Sequence, residues 1–404
     1  MNTEHKNTLA KRLAASEPHV RAIYVSTYIP RECGIATYTK DLTSAINLLN
    51  PLRLADIVAI DDEKSGGEFK KYPWEVKYKI EQENIRSWMN AADYINQSSA
   101  EVVNIQHEFG ICGGVEGEYV LPFMEALNKP IIICLHTVLP NPTPKMLEMV
   151  KRMAARAQAI TVMVGSAGKI LEEKYGVDTK KIVVIPHGVP DVPFGQNATL
   201  KRKLGYGGWR IVTSFGLLGR SKGYEYAIQA LPNILKKHPK TKLLLLGETH
   251  PIVRRREGEK YRNSLVALVK KLRVTKNVEF VNRYLSLDEI IQYLRISDAY
   301  ITPYPSLDQA SSGTLSYAVS AGLPCISTPY VHAKDVLAEG RGLLLDSLDT
   351  DEIAEKLIYL FDNNKTRQAM AKKAYLYGRS MTWSRVALRH LDLFEIVTEE
   401  HESA

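Results

Sequence analysis

The sequence predicts an α/β protein of two Rossmann-like parallel-sheet domains facing one cleft, and three observations carry that expectation. Short apolar runs rich in β-branched residues alternate with amphipathic stretches of about 10 to 18 residues, the pattern of βα units around buried parallel strands. The runs fall into two series separated by the segment 186–198 (PHGVPDVPFGQNA), whose prolines and glycines mark a linker. A chain of 404 residues with 45% hydrophobic content buries a full core, and its size favours two domains.

In the first series the strand candidates are Ala22–Ser26, Leu54–Ile60, Val102–Gln106, Ile131–Leu135, Ile160–Val164 and Ile182–Ile185. In the second they are Ile211–Phe215, Lys242–Leu246, Val278–Val281, Ala299–Thr302, Cys325–Ser327 and Gly342–Leu344. The linker therefore divides an N-terminal domain, 1–195, from a C-terminal domain, 196–380.

Composition narrows the function classes. Four cysteines (Cys33, Cys112, Cys134, Cys325) stand far apart without Cys-x-x-Cys spacing, so neither a disulfide framework nor a zinc site is expected, and the compartment reads as a reducing cytoplasm. Residues 1–20 lack a continuous apolar core for a signal peptide, and no run approaches the roughly 20 apolar residues that span a bilayer. The net charge is +8, and nearly all the excess lies after residue 195, in Lys236, Lys237, Lys240, Lys242 and Arg254 to Arg256 among others. A solvated helix surface explains such charge, and so does a field that attracts a polyphosphate. No zinc finger or aromatic-studded basic motif points to nucleic acid.

In open parallel sheets ligands bind beyond the carboxyl ends of the strands, so the chemistry is sought in the loops that follow them. The most telling is 308–324 (DQASSGTLSYAVSAGLP), between the proline-rich bend 299–305 and a short apolar run. It reads as a small-residue loop opening a helix. Ser311, Ser312, Gly313 and Thr314 there supply backbone amides and hydroxyls where unpaired N–H groups and the helix dipole favour an anion. Nothing in it looks like a nucleophile. The first strand leads to a loop in which Gly34 lets the backbone approach a ligand, the third to Gln106–Gly110 with His107, and the fourth to His136 and Thr137. In the second series, one strand leads into Gly216–Gly223, with Lys222, and the next into Gly247–Thr249.

Plainer readings stand beside these. A single loop histidine is more often a surface or capping group than a catalyst; His107 and His136 gain weight by following successive strands. The Lys222 loop is not a P-loop, because the Gly-x-x-x-x-Gly-Lys-Ser/Thr order is absent. Asp349 and Asp351 resemble an Asp-x-Asp metal site, yet Glu352 three residues after Asp349 favours a capping box. Asp61, Asp62 and Glu63 read as a solvated turn, and no metal site is expected.

Taken together, the glycine loop at Gly34, the histidine loop at His107, the Ile185–Val189 segment, the 216–223 loop and the 308–324 loop resemble the family-4 retaining glycosyltransferases of GT-B fold. These enzymes move a sugar from a nucleotide donor to an acceptor. Trp383 and the helical segment to about Glu400 look like the family's closing helix, so 381–404 is expected to cross back to the first domain. The 34–37 and 106–110 signatures (GIAT, QHEFG) are most similar to a bacterial mannosyltransferase-like subgroup.

By this resemblance Lys222 contacts the donor diphosphate, Ser312, Gly313 and Thr314 hold it from the other side, and His107 places the donor sugar. The resemblance implies a wider donor set of Gly34, His136, Arg220, Arg283, Tyr284, Ser311, Leu315 and Tyr317. The chain also departs from the family. Leu217 stands where an arginine is common, with Arg220 as a nearby substitute, and the paired glutamates fall on Gln309 and Tyr317, leaving Asp308 as a displaced acid. Since the departing phosphate itself can take the acceptor's proton in the front-face mechanism, two carboxylates are not required. His107, Lys222, Asp308 and Gln309 are the catalytic candidates.

The implied activity is metal-independent, cofactor-free hexosyl transfer from a nucleoside-diphosphate sugar to a glycan or glycolipid, with membrane contact at most peripheral. Two alternatives stay open: a retaining phosphorylase on the same fold, and a non-catalytic nucleotide-sugar-binding protein.

Overall fold

A computed structural model describes residues 20–62 and 71–403. The segment examined for a leader, apart from Val20, and the acidic Glu63 lie outside these residues. The chain forms two compact bodies, one of Met1–Pro186 with Trp383–Ala404 and the other of His187–Thr382.

The first body holds a seven-stranded parallel sheet in the order β3-β2-β1-β4-β5-β6-β7. Its strands are β1 (Ala22–Ser26), β2 (Asp56–Asp61), β3 (Val76–Glu81), β4 (Val102–His107), β5 (Ile131–Leu135), β6 (Ala159–Val162) and β7 (Ile182–Val184). β1, β4, β5 and β6 are buried throughout, as expected of parallel strands covered on both faces. The strand order reverses between β1 and β4, where Tyr24 lies opposite Asn104, so the loops after these two strands open at the switch point of the sheet. The helix Gly34–Leu49 and the final helix Trp383–Glu402 belong to this body. The Phe394 ring meets Tyr24 of β1 edge-on at 6.2 Å, burying the apolar stripe of the final helix in the core.

β3 has no counterpart among the sequence candidates. Its alternation of apolar residues with Lys77, Lys79 and Glu81 matches an edge strand with one wet face, whereas β1, β5 and β6 are buried throughout. Asp61 closes β2 rather than lying in a solvated turn, and Asp62 approaches Arg31 at 3.8 Å.

The second body carries a six-stranded parallel sheet in the order β10-β9-β8-β11-β12-β13. The strands are β8 (Arg210–Phe215), β9 (Thr241–Leu246), β10 (Val278–Val281), β11 (Ala299–Thr302), β12 (Cys325–Ser327) and β13 (Gly342–Leu344). Here the order reverses between β8 and β11. Much of its core lies where the helices Tyr224–Lys237 and Thr350–Asp362 pack together. Val189, in the segment read as a linker, is fully buried and donates its N–H to the Met381 carbonyl at 2.9 Å. The chain thus enters and leaves this body side by side.

Asp349 caps the helix Thr350–Asp362 by accepting from the Asp351 amide. Glu352 does not complete the capping box; its carboxylate accepts from the amides of Asp346 and Ser347 instead. Both acids are thereby committed to the helix start.

Candidate functional site

In the second body the loops after β8 and β9 are stitched together. Leu218 donates to the Glu248 carbonyl at 2.8 Å, and the His250 amide donates to the Leu218 carbonyl at 2.9 Å. Glycines make this approach possible. Gly247 has φ of 129°, and a Cβ there would lie 2.3 Å from the Gly216 carbonyl oxygen. Gly223 has φ of 61°, and its Cβ would lie 2.1 Å from the Pro303 oxygen. Gly216, with φ of 132°, faces Thr314 and Lys222, whose Cγ2 and Cε would be 3.5 and 4.0 Å from its Cβ.

Lys222 ends a short 3-10 turn, Arg220–Lys222, and turns its ammonium toward the 308–324 loop. Its Nζ donates to the Tyr304 hydroxyl at 3.1 Å and lies 4.3 Å from that ring's centroid. The Tyr304 hydroxyl also shares a hydrogen bond with Thr314 Oγ1 at 3.1 Å, and Thr314 Oγ1 lies 3.4 Å from Ser312 Oγ. An ammonium and three hydroxyls therefore meet at the start of the helix Gly313–Ser320. Ser312 is its N-cap, accepting from the Leu315 amide, and the first helical N–H groups there favour negative charge. Burial would raise the Tyr304 phenol, but the Lys222 charge and hydrogen bonds from Thr314, Lys222 and Ser312 outweigh it and hold the group below the usual phenol range.

Gly313 is also required by its neighbour. A Cβ there would lie 2.7 Å from Nε2 of His187, the histidine of the 185–189 segment. His187 Nδ1 lies 2.7 Å from the Gly188 carbonyl, which can only accept, so that nitrogen carries the proton and Nε2 presents a lone pair toward the helix start. Burial pushes the His187 pKa down to about 4, so the ring is neutral at pH 7. Behind the helix, His332 Nε2 lies 3.1 Å from Ser316 Oγ, and burial followed by the nearness of His187 lowers its pKa to about 3.

Of the sequence candidates in this body, Lys222, Ser312, Gly313 and Thr314 come together. Ser311 sits beside them, its carbonyl accepting from the Gln309 side chain at 2.7 Å. Asp308 and Gln309 are exposed on the loop, and Leu315 is buried in the core. Tyr317 is buried with its ring near Phe215 and His187, at 6.1 and 6.2 Å. Arg220 points elsewhere: it approaches Glu257 at 3.7 Å and lies over the Tyr261 ring. Arg283 pairs with Glu289 at 2.5 Å beyond β10, next to the half-exposed Tyr284. Sequence reasoning missed Tyr304, whose only signal was its place in the proline-rich bend, and left His187 without a role.

In the first body Gly34 opens its helix, with Cys33 as N-cap accepting from the Ala36 amide at 3.3 Å. A Cβ at Gly34 would meet nothing within 4 Å, so open space lies beside it. His107 ends β4 fully buried, its ring edge-on to Phe109 at 5.0 Å, and neither ring nitrogen has a partner among the described residues. Burial lowers its pKa to about 4. His136 joins a buried polar chain: its Nε2 lies 2.8 Å from Gln106 Oε1, and Gln106 donates to Asn104 at 2.5 Å. Glu108, raised by burial, accepts from the Thr137 hydroxyl at 2.6 Å and from the Phe109 amide. Among the described residues no three His, Cys, Asp or Glu side chains gather as a metal site, and no helix is long and apolar enough to cross a membrane.

Comparison with known proteins matches both halves. Residues 197–377 match the family described as glycosyl transferases group 1, and residues 59–191 match Glycosyltransferase Family 4. A GDP-mannose-dependent monoacylated alpha-(1-6)-phosphatidylinositol monomannoside mannosyltransferase of Corynebacterium glutamicum is 27% identical over 201 residues, 48% of each chain. A D-inositol 3-phosphate glycosyltransferase of Corynebacterium efficiens is 27% identical over 56% of this chain and 54% of that one. The chain thus spans about half the length of these curated relatives. Among solved structures, sucrose-phosphate synthase from Thermosynechococcus elongatus superposes with a TM-score of 0.76 at 15% identity, over 94% of this chain and 100% of that one. Anabaena HepE, in complex with UDP and glucose, gives 0.73 at 14% identity, over 93% and 99%. These two likenesses establish the fold.

Proposed function

The chain belongs to the family-4 glycosyltransferases of GT-B fold, and on that premise we propose that it transfers a hexosyl unit from a nucleoside-diphosphate sugar to a glycan or glycolipid, with retention at the anomeric carbon. The observation that carries the proposal is the meeting of Lys222, Tyr304, Thr314 and Ser312 at the start of the helix Gly313–Ser320. That cluster offers one positive charge, oriented hydroxyls and helix N–H groups, and no nucleophile. Such a set suits a leaving diphosphate. Lys222 neutralises the charge that develops on it, and Ser312, Gly313 and Thr314 bind its oxygens, so the charge is stabilised without a metal in this reading.

The finer assignment is mannosyl transfer, favoured by a relative whose name specifies GDP-mannose; HepE, crystallised with UDP, marks the other common base. In this proposal His107 places the sugar, Gly34 admits the phosphates, and the backbone around Arg283 and Tyr284 meets the base. Gln309 binds sugar hydroxyls and Tyr317 the ribose, with Asp308 as the nearby acid. The departing phosphate takes the acceptor's proton, and holding the reactants in line contributes on the order of 7 kcal/mol or more in well-aligned cases. The setting proposed is cytoplasmic polysaccharide or glycolipid synthesis.

Thermal melting against nucleoside diphosphates and their sugars tests the proposal. A ligand at about 100 times its Kd adds roughly 2.7 kcal/mol to the folded state, and no shift with any of them refutes the donor assignment. One observation favours a second reading. With Gln309 hydrogen-bonded to its own loop and Tyr317 buried, the chain suits a nucleotide-sugar-binding protein without turnover, which stabilisation by donor but no transfer to a broad acceptor panel would reveal.

A further inference from the structure

We infer that Tyr304 is a positioning residue for Lys222, holding its ammonium, through the same phenol oxygen that bonds the Thr314 hydroxyl, in the place where it meets an anion. The inference rests on the reading of Lys222 as the cation that faces the donor diphosphate.

A lysine side chain is long and gains its position only from its contacts. Lys222 has two with one residue: a hydrogen bond from Nζ to the Tyr304 hydroxyl at 3.1 Å, and the ring face, whose centroid lies 4.3 Å away. Tyr304 in turn does not depend on Lys222 for its own place. Its ring stacks on Tyr330 at 5.1 Å with an interplanar angle of 12°, and its carbonyl accepts from the Thr328 hydroxyl at 2.8 Å. It is 3% exposed. A fixed phenol thus orients a mobile ammonium and, through the 3.1 Å bond to Thr314 Oγ1, the hydroxyl beside it. Holding both before the ligand arrives removes ordering cost from binding.

The same geometry gives the pair a distinctive pH response. Once the phenol ionises, Lys222 is bound in an ion pair and the new negative charge repels a diphosphate. Because Lys222, Thr314 and Ser312 hold the Tyr304 pKa below the usual phenol value, binding is present at neutral pH and lost as pH rises through that lowered value. The other titratable groups near the pair respond elsewhere. Burial raises the phenols of Tyr224, Tyr300 and Tyr330, while His250 is pushed down by burial, Lys222 and Arg255.

Calorimetric binding of UDP and GDP to the full chain, with kcat and KM, tests this in Tyr304→Phe, Lys222→Ala and the double variant. Tyr304→Phe keeps the stack and loses the hydroxyl. It is expected to weaken nucleoside-diphosphate binding on the order of tenfold, the factor one charged hydrogen bond commands, and to lose the alkaline fall in affinity. On the Lys222→Ala background its further effect should be several-fold smaller, since only the Thr314 hydroxyl is then left unheld. Two losses that multiply, or an alkaline limb unchanged in Tyr304→Phe, overturn the inference. Should Tyr304→Phe not fold, tyrosinate absorbance of the wild-type chain and Lys222→Ala decides: the earliest phenol to ionise must move to higher pH when the lysine is removed, and its failure to move overturns the inference equally. If the wild-type chain binds neither these nor any other nucleoside diphosphate, the donor reading itself falls.

Discussion

The ends of β8 and β4 place a candidate catalytic side chain by opposite means. Beyond β8, Lys222 is partly exposed and already engaged, its ammonium on Tyr304 and the Thr314 hydroxyl next in line. At the end of β4, His107 is fully buried, neutral, and without a partner for either ring nitrogen among the described residues. The lysine site spends no folding energy on an unpaired polar atom. The histidine site does, because a buried unsatisfied donor or acceptor costs about 1–3 kcal/mol. The difference teaches where each group's role is stored: in a formed network for Lys222, and in an unfilled hydrogen-bonding capacity for His107.

The largest effect is expected from Lys222→Ala. Removing a preorganised charge aimed at a developing anion typically costs about 10²–10³ in kcat, and the loss should exceed any change in acceptor KM. Steady-state kinetics with donor and acceptor varied separately measure it. Unchanged turnover would dissolve the contrast, since the formed network would then have no catalytic role.

His107 carries the next prediction, in stability rather than rate. Its folded pKa of about 4 lies below the unfolded value of 6.5, so between these pH values the unfolded chain binds a proton that the native chain refuses. Stability is therefore intact above pH 6.5 and falls on acidification toward 4, by roughly 3 kcal/mol over the window for this one group. His107→Leu should flatten the acid slope in denaturant titrations across pH 4–7 while keeping stability at pH 7, because it removes an unpaired polar group. A slope identical to wild type would mean that the ring is already paired or protonated, and the two strand ends would cease to differ.

How far the sequence revealed this arrangement depends on the range of the interaction. β1, β5, β11 and β12 have the bounds that their apolar runs predict, because a buried parallel strand writes itself into contiguous residues, and the half-buried edge strands β10 and β13 match their expected bounds as well. β3 escaped, since its alternating lysines belong to a half-wet edge. The opening of the helix Gly313–Ser320 was visible as a run of small residues. Tyr304 was not, since its partner Lys222 lies 82 positions away and no local pattern distinguishes this tyrosine from its neighbours in the bend. The same holds for His187, whose ring decides that residue 313 must be glycine.

That steric link gives a prediction of intermediate size. Gly313→Ala places a Cβ 2.7 Å from His187 Nε2, and the ring is held by its bond to the Gly188 carbonyl, so the helix start must shift. Overpacking of this kind costs roughly 1–3 kcal/mol, read as a lower denaturation midpoint together with weaker nucleoside-diphosphate binding. Adding His187→Ala should restore part of both. Full binding by Gly313→Ala alone would show that the site tolerates movement and that its readiness has been overstated.

The smallest effect is expected at Arg220, and it separates charge from geometry. Arg220 lies two residues before Lys222 on the same turn and bears the same charge, yet it points to Glu257 at 3.7 Å and to the Tyr261 ring, and it is largely exposed. An exposed pair of this kind contributes about 0–1 kcal/mol, screened by salt. If Lys222 acts through its fixed place on Tyr304, Arg220→Ala should change donor affinity less than about threefold at 0.15 M salt, with the small loss vanishing as salt rises. If the second body attracts its donor by net field alone, the two cations become interchangeable and Arg220→Ala should approach the loss seen in Lys222→Ala. Donor affinity measured for both variants at two salt concentrations therefore decides whether the end of β8 is a built site or only a positive one.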